Sequence, residues 1–208
     1  MSMPSSFRKV NLIDARAPGK PLVEAELSRD FPFAELDKIE SDWADARTGA
    51  AAATGAAGLA PLEHAHWDWR NKADSVRAGL HLLVAVEFRW RIQGIMAVLQ
   101  AVRPARLDSK RLVYVDYVEA APWNLKAVTS SPQFLGVGTL LIADAVRLSH
   151  EKGCEGRIGL HSLPQAEAFY TRLKMTNLGP DQYYYGLPYF EFSSQRASEW
   201  LNSIGEVL

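Results

Sequence analysis

Residues 110–163 constrain the fold most, because they read as strand, glycine-bearing loop, helix and strand in succession. The first segment, KRLVYVDYVEAAP, is rich in valine and tyrosine, which favour pleated strands. The stretch LLIADAVRLSHEKGC then carries apolar residues at helical spacing and ends at Gly153, a residue type common just past helix ends. RIGLHSL follows as a short buried strand. A helical crossover of this length joins parallel neighbours. Just upstream, Leu80, Leu82, Val84, Val86 and Phe88 alternate along a strand, and a short turn leads into a second strand, IQGIMAVLQAV. Strands joined so tightly are antiparallel. The sheet is therefore mixed, with a topological break, and ligands in such sheets bind where the strands part, near the start of the crossover helix.

The flanking segments complete an α/β chain of the α+β type, expected as a single domain over 1–208. Residues 1–32 read as an N-terminal extension, the first 22 of them Pro/Ser/Gly-punctuated and loosely packed. FAELDKIESDWADAR places Leu36, Ile39 and Trp43 on one helical face. Residues 48–60, almost all alanine and glycine, read as a flexible loop, and Pro61 opens a second helix through HAHWDWRNKAD. PQAEAFYTRLKM is a helix, DQYYYGLPYFEFS two short strands about a Gly-Leu-Pro turn, and 193–208 a closing helix. The expected order is helix, helix, three strands, helix, strand, helix, two strands.

Charge is nearly balanced, 23 Lys+Arg against 24 Asp+Glu, so no strong field draws the chain to nucleic acid or to a membrane surface. The one cysteine, Cys154, allows no internal disulfide and fits a reducing compartment. The N-terminus has no apolar signal-peptide core, and no apolar run nears the ~18 residues of a membrane helix. The expectation is a cytoplasmic protein, monomer or homodimer, with neither nucleic acid nor membrane as partner.

The loop before the crossover helix reads QFLGVGT, Gln133 to Thr139. No lysine follows its glycines, so it is not a triphosphate-binding loop. Gly136 and Gly138 fit two positions of a dinucleotide fingerprint, but Leu141 stands at the third. What is left is a turn carrying Gln-x-x-Gly-x-Gly at a helix start. It fits a pyrophosphate held by first-turn N–H groups, and it fits a tight packed turn equally well.

With its surroundings, the pattern of residues 79–192 resembles the GNAT family of N-acetyltransferases, as a divergent member. Gln-x-x-Gly-x-Gly follows a Val-rich strand and precedes an amphipathic helix, a strand and a helix bearing AFYTRLKM. The resemblance implies that acetyl-coenzyme A is the co-substrate. It implies that the backbone of Gln133, Phe134, Leu135, Gly136, Val137, Gly138 and Thr139 cradles its pyrophosphate. It further implies that Glu119, Ala120 and Ala121 lie along the pantetheine arm, and that Tyr170 stands where the family's tyrosine acts on the departing thiolate. The chain departs from the pattern at Leu163, where asparagine is frequent, at Lys174-Met175 in place of Gly-Phe, and in its long 122–133 link.

Acyl transfer from a thioester to an amine needs a neutral nucleophile, a donor for the developing oxyanion and a proton for the thiolate. An alkylamine with a pKa of ~10.4 needs help losing its proton. Glu119 and Asp116 are the candidate bases, with neither as a third possibility. Three residues apart, they face opposite sides of a regular strand unless a bulge intervenes. Trp67, Trp69, Trp123 and Asn124 are candidate acceptor-side residues. His161 fits a buried, hydrogen-bonded side chain better than a catalyst. His64 and His66 do not share a helical face, so no metal site is expected, and Cys154 lacks a nucleophile's partners. The reading is N-acetyl transfer to a primary amine of a small molecule or peptide, by direct attack in a ternary complex. The alternative is a non-catalytic acyl-coenzyme A-binding sensor or interaction module.

Overall fold

A computed structural model of the chain describes residues 7–29, 31–54 and 68–205. Among the described residues ten strands form the sheet: β1 Phe7–Asp14, β2 Leu22–Ser28, β3 His81–Phe88, β4 Arg91–Leu99, β5 Arg103–Pro104, β6 Arg111–Ala120, β7 Phe134–Leu135, β8 Ile158–His161, β9 Thr176–Asp181 and β10 Leu187–Phe192. Their order is β7-β1-β2-β3-β4-β6-β8-β10-β9, with β5 beside β6. The helices are α1 Leu36–Thr54, α2 Trp69–Arg77, α3 Val137–Glu151, α4 Glu167–Arg172 and α5 Ser194–Ile204. β3, β4 and β6 pair antiparallel, whereas β6 and β8 are parallel across the α3 crossover.

Both faces of the central strands are covered, which is why their sequences run apolar at successive positions. On one face Val84, Val86, Met96, Val113 and Val115 pack under α3, whose Leu140, Leu141, Ala145 and Val146 are buried, with Trp200 of α5 beside them. On the other, Leu83, Ile95 and Ala97 pack under Leu36, Ile39 and Trp43 of α1 and Trp69 of α2. Trp43 and Trp69 are fully buried, and truncating such a residue to alanine costs about 3–5 kcal/mol.

Several expected segments differ. Residues 7–28, read as part of a loose extension, form the β1–β2 hairpin, register Val10↔Ala25 and Leu12↔Val23. Val10, Leu12, Ala25 and Leu27 point into the core, an alternation hidden by the surrounding Pro, Ser and Gly. The hairpin is tied to α3 by Arg8 and Arg29, which both contact the buried Asp144. α1 runs to Thr54, so alanine's helix propensity carries it through the first half of the expected 48–60 loop. Residues 55–67, including Pro61, lie outside the described residues. The last hairpin begins earlier than expected, at Thr176. Its first strand, TNLGPD, is an edge strand, where a proline is tolerated, and the turn falls at Gln182–Gly186 with Tyr185 and Gly186 left-handed.

Candidate active site

β6 and β8 pair only at Val113–Ile158 and Tyr114–Gly159, and beyond that the β6 edge has no strand partner among the described residues. The gap opens into a cleft of about 590 Å³. Val118, Glu119 and Ala120 of β6 form one wall, and Phe169 and Tyr170 of α4, with Leu173 just past its end, form the opposite one. Residues 134–139 close the end. Gly136 caps α3 with φ 92°, ψ −9°, a conformation other residues enter at a cost of about 1–2 kcal/mol. By helix geometry the N–H groups of Val137, Gly138 and Thr139 have no intrahelical acceptor, and no side chain caps them. The cleft therefore ends in three donors at the positive end of a helix dipole. Gly138 serves packing instead: a Cβ there would lie 3.1 Å from Phe169 Cζ.

Two of the expected backbone contacts stand behind this wall. Gln133 and Ala121 do not line the cleft; their N–H groups donate to Trp123 O and Gln93 O, respectively. Trp123 and Asn124, expected on the acceptor side, brace the loop. The Asn124 amide donates to Gln93 and accepts from Phe134 N–H at 2.9 Å, while Trp123 Nε1 donates to Gln93 Oε1 at 2.8 Å. Gln93 is the hub of this brace, and nothing in its sequence neighbourhood marks it.

On β6 the parity of the two carboxylates is changed by a bulge. β4 pairs Ala97 with Tyr117 but Val98 with Val115, so Asp116 is the extra residue. Asp116 thereby meets His81, Oδ2 to Nε2 2.8 Å, on the face that also carries Glu119. Glu119 is nearly fully buried. Its Oε2 accepts from the Trp69 indole at 2.8 Å and its Oε1 from Arg47 at 3.2 Å. Arg47 also holds Glu40, 2.7 Å, and Glu40 accepts the Trp69 backbone N–H, 3.1 Å. Glu40, Arg47, Glu119 and Trp69 thus close a ring. Burial pushes the Glu119 carboxyl up to about 7 against the opposing pull of Trp69 and Arg47. Lys72 lies over the Tyr117 ring at 3.8 Å, and burial lowers its pKa. Asp116 does not line the cleft.

Tyr170 is 4% exposed and lines the cleft, and burial holds its phenol above the ordinary range. Its hydroxyl has no hydrogen-bond partner among the described residues. His161 bridges the Tyr114 hydroxyl (2.6 Å) and Asp181 (3.1 Å) and stacks on Tyr184, a satisfied structural position. Cys154 is buried, and burial raises its thiol pKa. Among the described residues no group of three or more His, Cys, Asp or Glu is placed to hold a metal. His64, His66 and Trp67 lie outside those residues, and Trp69 belongs to the Glu119 ring.

No protein-family model and no curated protein matches the sequence. Solved structures do match the fold. A GNAT-family acetyltransferase of Listeria monocytogenes is 14% identical with a TM-score of 0.54, over 89% of this chain and 99% of that one. This chain has the GNAT fold. A bacterial toxin shares it at 14% identity and a TM-score of 0.55, over 94% and 95% of the two chains. So does a PaiA N-acetyltransferase of Thermoplasma acidophilum, solved in complex with coenzyme A: 12% identity, TM-score 0.51, over 81% and 98%. No helix among the described residues is long and apolar enough to cross a membrane.

Proposed function

We propose that this chain is an N-acetyltransferase that takes acetyl-coenzyme A as co-substrate and acetylates a primary amine. The observation that carries this reading is the cleft itself: an unpaired strand edge on one side, three unpaired helix N–H groups at its end and a buried tyrosine opposite. The helix N-terminus suits a pyrophosphate. The free β6 edge suits an extended, amide-bearing arm, and the GNAT-fold neighbour solved with coenzyme A supports that occupant.

The reaction is direct attack in a ternary complex. The amine nitrogen forms a bond to the thioester carbon and gives a proton to Glu119, whose pKa near neutrality suits a general base. The C–S bond breaks, and the thiolate takes the Tyr170 phenolic proton, which burial keeps in place until then. Solvent restores the tyrosine proton. Asp116, held by His81, is the alternative base, reaching the amine through water. The acceptor is a small molecule or a peptide, and the setting is a reducing, cytoplasmic one.

A non-catalytic acyl-coenzyme A sensor is the second reading, favoured by both Glu119 oxygens already being engaged by Arg47 and Trp69. The discriminating experiment follows free thiol release from acetyl-coenzyme A across a panel of amines. Turnover that falls about 10²-fold or more in Tyr170→Phe supports the enzyme. Binding without turnover supports the sensor. Absence of any thermal shift with coenzyme A, or a full shift retained in Gly138→Trp, defeats both.

A further inference from the structure

The brace behind the glycine loop is a line of side-chain amides whose orientations are forced in turn. The Trp123 ring packs edge-on against Trp43 of α1, centroids 6.5 Å apart, and lies 3.5 Å under the Arg91 guanidinium. Its indole nitrogen can only donate, so the Gln93 atom facing it at 2.8 Å must be Oε1. Gln93 Nε2 then donates to Arg91 O at 3.0 Å. Gln93 offers Asn124 two acceptors, Oε1 and its own carbonyl, and Asn124 Nδ2 donates to them at 3.1 and 3.2 Å. That leaves Asn124 Oδ1 to accept the Phe134 N–H at 2.9 Å. Gln93 is 2% exposed and does not line the cleft, whereas Asn124 does.

What these amides hold is the segment that aims α3. β7 has two residues, shorter than the usual strand of about 3–10. It is held from two directions. From β1, Ile13 pairs with Leu135 and Asp14 with Phe134, and the Ala15 N–H donates to Gln133 O at 2.8 Å. From the 122–124 turn, Trp123 O accepts the Gln133 N–H at 2.9 Å and Asn124 accepts that of Phe134. Left-handed Gly136 follows at once, so the direction of the Val137, Gly138 and Thr139 N–H groups is inherited from Phe134 and Leu135. Hydrogen bonds weaken steeply as donor and acceptor lose alignment, so a small swing of this segment is felt at the anion.

We propose that Gln93 is a positioning residue for the carrier's pyrophosphate. It does not touch the ligand. It fixes the Asn124 carboxamide, and through it the aim of the three helix N–H groups. The inference rests on the acetyl-coenzyme A reading of the cleft and adds to it a residue outside the cleft that sets affinity. The effect is confined to one part of the ligand. The pantetheine arm runs along β6, which is held by its own pairing to β4, Ile95 opposite Glu119 and Gly94 opposite Ala120. Only the anion at the loop reads the state of the amides.

Calorimetric titration of the full chain with coenzyme A, and with pantetheine, which has the arm and no pyrophosphate, tests this. Gln93→Met keeps the length of the side chain and removes its amide; Asn124→Ala removes the next link and leaves the buried glutamine in place. Each is expected to lower coenzyme A affinity about tenfold while pantetheine affinity stays as in the wild type. The double variant is expected to lose no more than the weaker-binding single one, since both act through the one bond to Phe134. Losses that add in the double variant, losses shared equally by pantetheine, or unchanged coenzyme A affinity in Asn124→Ala overturn the proposal. The Asn124→Ala comparison decides it even if Gln93→Met does not fold. Failure of the wild type to bind coenzyme A is a different result, and defeats the reading of the cleft itself.

Discussion

The Trp69 indole N–H donates to Glu119 Oε2 at 2.8 Å, so the first residue of α2 orients the carboxylate at the mouth of the β6–β8 cleft. The same residue's backbone N–H binds Glu40, and Arg47 joins the two carboxylates. Helices α1 and α2 therefore shape the candidate base as well as packing on the sheet.

Trp69→Phe removes that donor. Because the Trp69 bond lowers the Glu119 pKa, its loss raises the pKa further above about 7. The acid limb of the pH–rate profile is expected to move to higher pH, with stability falling by about 1–3 kcal/mol for the lost bond. An unmoved limb would show that Glu119 is not the titrating base. Side-chain carboxyl NMR gives the same answer without turnover.

Glu119 also makes stability depend on pH. Its folded pKa of about 7 lies above its ordinary value of 4.5, so the folded state binds the proton more tightly. Stability then falls as pH rises between these values, by about 3 kcal/mol in total. Urea unfolding from pH 4.5 to 7.5 is expected to show this fall as the difference between wild type and Glu119→Gln. A difference that stays flat over the window contradicts it.

Asp144→Asn tests the hairpin's anchor. The buried carboxylate, 1% exposed, compensates Arg8 and Arg29, and Arg147 Nη1 is buried nearby with no partner among the described residues. Removing one partner of such a network costs about 3–5 kcal/mol. Calorimetric melting and proteolysis within residues 7–28 measure it; a loss under about 1 kcal/mol would mean the pairs are effectively solvated.

Gly136→Ala places a Cβ at φ 92°. The left-handed conformation costs about 1–2 kcal/mol, and relieving it turns the Val137–Thr139 N–H groups away from the cleft. Coenzyme A affinity is expected to fall about tenfold or more, read by thermal shift or calorimetry. Unchanged affinity would remove the pyrophosphate from this loop.

The strand–loop–helix–strand of residues 111–161 was legible because its signals are local. Alternation along β6, the 3.6-residue period of α3 and the glycine at a left-handed cap each depend on near neighbours. The β1–β2 hairpin was less so. Val10, Leu12, Ala25 and Leu27 do alternate, but only burial under α3 separates them from an apolar scatter in a loop. Edge strand β9 carries Gly179 and Pro180, which argue against a strand until β10 is seen to pair with it.

Sequence by itself determined the crossover, the mixed sheet and the glycine cap, since period and backbone conformation are written in contiguous residues. Only the tertiary structure decided the chemistry of the carboxylates. Register against β4 creates the bulge that turns Asp116 to the face of Glu119. Arg47 reaches Glu119 across 72 residues of chain, and Trp69 across 50. A carboxyl's pKa follows from the burial and donors around it, and those are supplied by helices whose placement no local pattern specifies.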